Sequence, residues 1–413
     1  PRIPDESGSL VKCDFHSFRA ISGQAKREKS NTTGAFGIGF TSVFQITDNP
    51  ELISAGRHWV LAYDQEEKRR IRQCGGGCGR DHDQPGTSFI LPWARDPDTT
   101  IRRGLNVPAV TEDIVDRFAA DAISALPEAM IFLRRVKHVE VRLRGSLLQS
   151  FERAEVDGTV SVTTGGVEER FLMIRGDFDL EAEVLRERYP VLGRDVREPR
   201  CEMAVPMSEP NDVLVLHAVL PTQEVTGLGL LLSASFFPFQ NRKRVKFEAP
   251  GDPESEWNRA AVRAAAGSLA ESLHRLRDTL RPDRFWSVLR SILDVHADEG
   301  LRPDDVFSEF WNKLVEVSAE AEIVLTTQGE WVKPGQAVLV PRSLESHVDT
   351  LVKLGLHVVD WDIAADAQAL SESIGLPLLN LVNLAEVLRR EGFTDSRQFD
   401  SAVAPLADDK GRK

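Results

Sequence analysis

An α+β fold is expected for this chain of 413 residues, and three observations predict it. Apolar residues recur at helical spacing in two stretches, Ile114-Phe118-Ala122-Leu126 and Trp257-Ala261-Ala265-Leu269-Leu273. Between them, from Met130 onward, the apolar period falls to two, as in a half-buried strand. The chain is 41% apolar and 28% charged, a globular composition. At ~150 residues per domain the length suggests two or three domains. We place their limits at 1–127, 128–283 and 284–413.

The elements follow in order. The polar stretch GQAKREKSNTT (23–33) has no apolar periodicity and is expected to be a loop. Phe40, Val43, Phe44 and Thr47 then carry the spacing of a short amphipathic helix, ended by Asp48-Asn49-Pro50. HWVLAYD, QEEKRRIRQ and SFILPW are expected to form antiparallel strands around a glycine turn at 75–77. Thr111 can cap the helix that carries Ile114, and Pro127 is expected to break it. Val139 and Val141 alternate with His138, Glu140 and Arg142, and strand-like runs recur at 160–163, 170–174, 213–220 and 229–237. The long helix through Trp257 follows. RPDR (281–284) marks a boundary to a mostly helical region with an extended module at 323–340. DDKGRK at the end is expected to be frayed.

Lys and Arg total 51 against 64 Asp and Glu, a net charge of −13. This argues against a nucleic-acid partner, because phosphate binding needs clustered cations. No apolar run reaches the ~18 residues of a membrane span. Four cysteines fit a reducing compartment, so a cytoplasmic location is expected. The chain opens on Pro1 rather than Met, and a start upstream is expected.

The sharpest feature is Gly34-Ala35-Phe36-Gly37-Ile38-Gly39-Phe40-Thr41-Ser42-Val43, with three glycines in six positions before a helix. Glycine allows positive φ and close approach of a ligand to the main chain. Successive backbone N–H groups can then cradle an anion, with phosphate as the natural ligand. A tight turn without a ligand has the same glycine spacing. No Gly-Lys-Ser/Thr follows, so it is not a Walker A loop. No apolar strand precedes it, so it is not the dinucleotide motif.

GAFGIGFTSVF resembles the second glycine box of the GHKL ATPases, most closely the chaperone-like branch that includes sacsin. FRAISGQAK (18–26) resembles the start of that family's ATP lid, and Pro85-Gly86-Thr87-Ser88-Phe89 resembles its Gly-Thr turn under the adenine. Leu220-Pro221-Thr222, Phe236-Phe237-Pro238, Asn241-Arg242-Lys243-Arg244 and Glu256-Trp257-Asn258 resemble the middle domain of sacsin-like proteins. Gly329-Glu330-Trp331-Val332 resembles a later module. The likeness spans roughly residues 8–340.

The resemblance implies a partial GHKL-type α/β sandwich, then a β-rich transducer-like domain and a helical C-terminal region, with ATP and Mg²⁺ as cofactors. It places backbone at Gly34, Phe36, Gly37, Ile38 and Gly39 on the phosphates, Lys26 in the lid and Thr87 at the adenine. Arg242, Lys243 and Arg244 include a cation for the γ-phosphate, whose charge a positive side chain stabilises. Gly8 makes Glu6 the positional match for the adenine-reading acid, with Asp5 as the alternative. Glu6-Ser7-Gly8-Ser9-Leu10 lacks the family's second glycine. The family's Glu-x-x-x-Asn box precedes Pro1, so no general base or Mg²⁺ ligand is assigned. Glu254 and Asn258 have that spacing, but Glu254 is expected to be a helix-start acid.

Cys74, Cys78 and His82 form a Cys-x3-Cys-x3-His array that Asp81 or Asp83 could complete as a metal site. The glycines between the cysteines suit a hairpin tip equally well, and no metal ligand is assigned. Cys13 and Cys201 are expected in the core, His217 packed, His138 solvated, and Trp257, Trp286, Trp311 and Trp331 in packing. The expected function is an ATP-binding, ATP-hydrolysing, chaperone-like machine acting on a protein partner, with a homodimer compatible with the family. The alternatives are a non-hydrolysing scaffold and a histidine-kinase-like phosphotransferase, the latter disfavoured by the β-rich region at 130–247.

Overall fold

The computed structural model describes residues 2–4, 10–12, 39–62, 64–65, 71–74, 77–83, 85–194, 197–210, 213–239, 241–248, 251–297 and 306–380. It has an α+β fold with antiparallel and mixed sheets. The chain divides into two compact units. The first takes Pro1–Leu126, Val141–Leu148 and Gly193–Glu198, and the second the remainder.

In the first unit, β1 (Arg2–Pro4) pairs antiparallel with β2 (Leu10–Lys12). A short 3₁₀ helix follows at Gly39–Gln45. Phe44 and Thr47 are buried, as their spacing predicts, and the turn ends before Asp48. Next come β3 (Glu51–Ser54), β4 (Arg57–Leu61), β5 (Ile71–Gln73) and β6 (Thr87–Ile90). They form one antiparallel sheet ordered β5-β4-β3-β6. The sequence pattern does not mark β3, yet it is the strand between β4 and β6. Leu52 and Ile53, which point to opposite faces of β3, are both buried, as is Leu61 on β4. Helix α1 (Thr100–Leu105) is capped by the Thr99 hydroxyl and closed by Asn106 at φ 53°.

Helix α2 (Glu112–Ile131) begins where Thr111 accepts the Ile114 N–H. Its inward stripe is Val115 and Ala119, while Phe118 faces outward. Pro127 does not break it, and the helix continues to Ile131. Met130 and Ile131 are both buried. Two such side chains contribute about 1.5–3 kcal/mol each, enough to offset the ~3 kcal/mol cost of an internal proline. The strand period accordingly starts at His138 rather than Met130.

A larger sheet comprises β7 (His138–Leu143), β8 (Ser146–Val156), β9 (Thr159–Thr164), β10 (Val167–Asp177), β11 (Arg200–Pro206), β12 (Val215–Ala218), β13 (Leu220–Val225) and β14 (Leu231–Ala234), of which β9 to β14 lie wholly in the second unit. Helix α3 (Asp179–Arg188) follows β10. The eight-stranded order is β13-β12-β14-β11-β10-β9-β8-β7, with β12 parallel to β14.

Helix α4 (Pro253–Glu271) is capped by Asp252 and packs on β10 and β11. Trp257, Ala261, Ala265, Leu269 and Leu273 are all buried, as the spacing predicts. Glu254 lies in its first turn and accepts from Lys246 Nζ. Short helix α5 (Leu273–Thr279) leads to α6 (Pro282–Ala297) and α7 (Ser308–Ser318). One apolar cluster runs from Leu172 in β10 to Leu376, so these helices and the sheet share a core. Arg284 is buried in it and donates to the carbonyls of Pro206 (3.0 Å) and Gly229 (2.7 Å). The extended module comprises β15 (Val324–Leu325) with β16 (Trp331–Val332), and β17 (Ala337–Val338) parallel to β18 (His357–Val358). Helix α8 (Val348–Lys353) precedes β18, and α9 (Ala364–Ile374) closes the described chain.

At Gly176, β10 comes close against α4. A Cβ there would meet Ser268 Oγ at 2.0 Å and Cys201 Sγ at 3.1 Å. Gly176→Ala is therefore expected to destabilise the second unit by about 1–3 kcal/mol. Adding Ser268→Ala should recover part of the loss. Urea unfolding followed by tryptophan fluorescence measures both; an unchanged midpoint for the single variant would contradict this contact.

Candidate functional site

Of the residues assigned to a nucleotide, Glu6, Gly8, Lys26, Gly34, Phe36, Gly37 and Ile38 lie outside the described residues, as do Asp5 and Cys13. Gly39 is the first residue of the 3₁₀ helix. What holds the far end of that helix is Arg102, which is 1% exposed. Its guanidinium donates to the carbonyls of Phe44 and Gln45 and to Asp48 Oδ1 (2.7 Å). It also reaches Pro108 O, while Thr99 donates to Asp48 Oδ2. A buried cation thus satisfies carbonyls that a helix end leaves open, and a carboxylate balances it. Nothing in the local sequence around Arg102 signals this role.

Thr87 opens β6 after Gly86, whose φ of 84° favours glycine. Its hydroxyl is 2.8 Å from that of Ser54 on β3. One O–H joins the pair, and the other remains available to a ligand.

The basic triplet sits on a tight hairpin in the second unit. Pro238 bridges Val245, and Phe239 N–H donates to Arg244 O. Arg242 adopts φ 57° and donates to Ala218 O. Arg244 pairs with Glu248 at 3.0 Å and lies 3.8 Å from Glu224. Lys243 is exposed, and no acidic side chain pairs with it among the described residues. The hairpin is anchored from beneath. Asn258, fully buried on α4, accepts the Phe237 N–H and donates to the carbonyls of Phe237 and Lys246. Buried Glu224 accepts the Val245 N–H. Asn258 belongs to the Glu-x-x-x-Asn spacing noted above, but its amide is committed to backbone.

A second constellation lies in the first unit. His58 on β4 joins Cys74, Cys78 and His82, and one ligand atom from each falls within 4.8 Å of all the others. Cys78 Sγ is 3.4 Å from His58 Nδ1 and 3.1 Å from His82 Nε2. The Cys78 thiol is lowered to about 6, chiefly by the Arg80 backbone N–H and then by His82. His58, rather than Asp81 or Asp83, is the fourth member. Asp81 instead accepts the Asp83 N–H at 3.0 Å. His58 precedes Cys74 by sixteen residues, and only strand pairing brings them together.

His217, His138 and the tryptophans named above take packing or surface positions. His217 is buried, 2.8 Å from Glu128 and edge-on to Phe132. His138 is exposed between Glu140 and Glu152. Cys201, Trp257, Trp286 and Trp311 are buried, and Trp331 stacks under Arg277. No helix among the described residues is long and apolar enough to cross a membrane.

Residues 9–71 match the Sacsin domain family. That stretch contains the glycine-rich sequence 34–39, the 3₁₀ helix, β3 and β4, and it links this part of the chain to sacsin. A comparison with curated proteins finds no match.

Proposed function

We propose that the chain is a sacsin-like nucleotide-binding protein of GHKL type, working as a chaperone-like conformational machine on a protein partner in the cytoplasm. The observation that carries this reading is the Sacsin domain match at residues 9–71, which contains the whole glycine-rich sequence 34–39. On this reading the first unit belongs to a GHKL-type sandwich, and the second is the transducer-like domain with its helical extension. The backbone of Gly34, Phe36, Gly37, Ile38 and Gly39 binds the phosphates of ATP, with Lys26 nearby, Glu6 and Gly8 toward the adenine, and the Thr87–Ser54 hydroxyl pair in the base's network. Mg²⁺ accompanies the nucleotide and neutralises phosphate charge when bound.

Within the basic triplet the role of phosphate cation falls to Lys243, because Arg242 and Arg244 already serve Ala218 O and Glu248. A cation that meets transferring charge accelerates hydrolysis by about 10²–10³-fold. Lys243→Ala should therefore cost far more rate than Arg242→Ala or Arg244→Ala. Calorimetric titration with ATP and Mg²⁺, beside a phosphate-release assay, tests both parts. No detectable binding sinks the nucleotide reading, and a parental rate in all three variants sinks the cation role. A non-hydrolysing scaffold is the second reading, favoured by the missing glycine in Glu6-Ser7-Gly8-Ser9-Leu10. It predicts no detectable nucleotide binding.

A further inference from the structure

We infer that His58, Cys74, Cys78 and His82 form a closed, four-coordinate zinc site that fixes the turn after β5 to the four-stranded sheet. The inference stands apart from the nucleotide reading and rests on the geometry of the first unit alone.

The donor set is two thiols and two imidazoles. Zn²⁺ takes that set with bonds of ~2.3 Å to sulfur and ~2.0–2.1 Å to nitrogen, which holds tetrahedral ligand atoms roughly 3.3–3.8 Å apart. Here the four atoms already lie within 4.8 Å of one another, with Cys78 Sγ at 3.1 and 3.4 Å from the two imidazole nitrogens. Thiolate and imidazole together select zinc over the oxygen-seeking cations Mg²⁺ and Ca²⁺. Four protein ligands leave no open position, so the site is structural rather than catalytic.

Three features of the backbone and the outer shell converge on the same centre. Cys74 N–H donates to His58 O at 2.9 Å, so the sheet ladder itself sets the first thiol beside the first imidazole. Gly77 and Gly79, both at φ 71°, turn the chain so that Cys78 folds back over the pair. The His58 ring, 4% exposed, has its Nε2 3.0 Å from Glu51 Oε2 and its Nδ1 toward Cys78. A carboxylate partner keeps the proton on Nε2 and leaves the Nδ1 lone pair for a metal, an arrangement that metal-bound histidines commonly show. Arg80 holds Glu51 from the other side at 3.3 Å. A hairpin tip closed only by weak S–H···N contacts would need neither the second imidazole nor a carboxylate behind the first. The segment this would pin, Cys74 to Asp83, runs on to Gly86 and Thr87.

The test uses the full chain, purified with a thiol reductant and without chelator, with elemental analysis and replacement by Co²⁺. We expect about one zinc per chain, and thiolate-to-cobalt charge transfer with tetrahedral ligand-field bands in the substituted protein. Cys78→Ser and His58→Asn should each abolish stoichiometric binding, whereas Cys201→Ala should retain it. Glu51→Gln keeps the four ligands and should weaken zinc affinity by about 10–100-fold in chelator competition. Its fold is checked by circular dichroism, which separates a positioning role from general damage. Absence of zinc together with a cobalt spectrum lacking thiolate bands would overturn the site. So would a Cys74–Cys78 disulfide that persists under reductant with added metal, or full binding in both ligand variants.

Discussion

Arg102→Met is expected to cost the first unit about 3–5 kcal/mol, the range found when one member of a buried ion pair is removed. The loss has named sources. Asp48 would lose its guanidinium partner and keep only the Thr99 hydroxyl, and the carbonyls of Phe44 and Gln45 would lose their donor. Arg102→Lys should recover less than half, because one ammonium cannot reach four acceptors that a planar guanidinium meets together. Hydrogen exchange over residues 39–48 reads the effect locally, and urea unfolding followed by Trp59 and Trp93 reads it globally. If protection at 39–48 were unchanged in the methionine variant, the clamp would not be what holds this helix. On the proposed function, nucleotide affinity falls in parallel, whereas Lys243→Ala should leave stability unchanged.

Asn258→Ala is the second large effect, about 3 kcal/mol in the second unit. It orphans the Phe237 N–H and the carbonyls of Phe237 and Lys246, each costing about 1–3 kcal/mol when buried, with partial relaxation. Asn258→Asp should be worse. It keeps the acceptor but points a carboxylate at two carbonyl oxygens. Exchange at residues 237–246 should rise in both variants while that at β8 to β10 changes less. Equal protection in parent and variants would mean the basic hairpin is held elsewhere.

What could be seen in the sequence was what repeats locally. The stripe from Trp257 to Leu273 marks α4 because burial on one helix face repeats every three to four residues. The alternation at His138 to Leu143 marks β7 in the same way. β3 escaped because four residues give too little periodicity to stand out. Pro127 misled because a local rule carries no information about the burial of Met130 and Ile131 three and four residues on. At the candidate sites the limit was distance along the chain. Cys74, Cys78 and His82 are visible as a spaced array, while His58 joins them only through the β4–β5 ladder. Lys243 could not be told from Arg242 and Arg244 until their carbonyl and carboxylate partners were known. Asn258 carried a misleading spacing, and its three backbone bonds have no sequence signature.

The placement of Arg284 bears on how this architecture can change over generations. Its guanidinium closes the main-chain ends of two strands from a helix that begins well after them. Trp286, two residues on, donates to Ile323 O inside the same interior. A segment that seals another region's interior is not a module to be shuffled, duplicated or shed by itself. The strands and the helices after Pro282 are thus one heritable piece, and variation in either is answerable to the other.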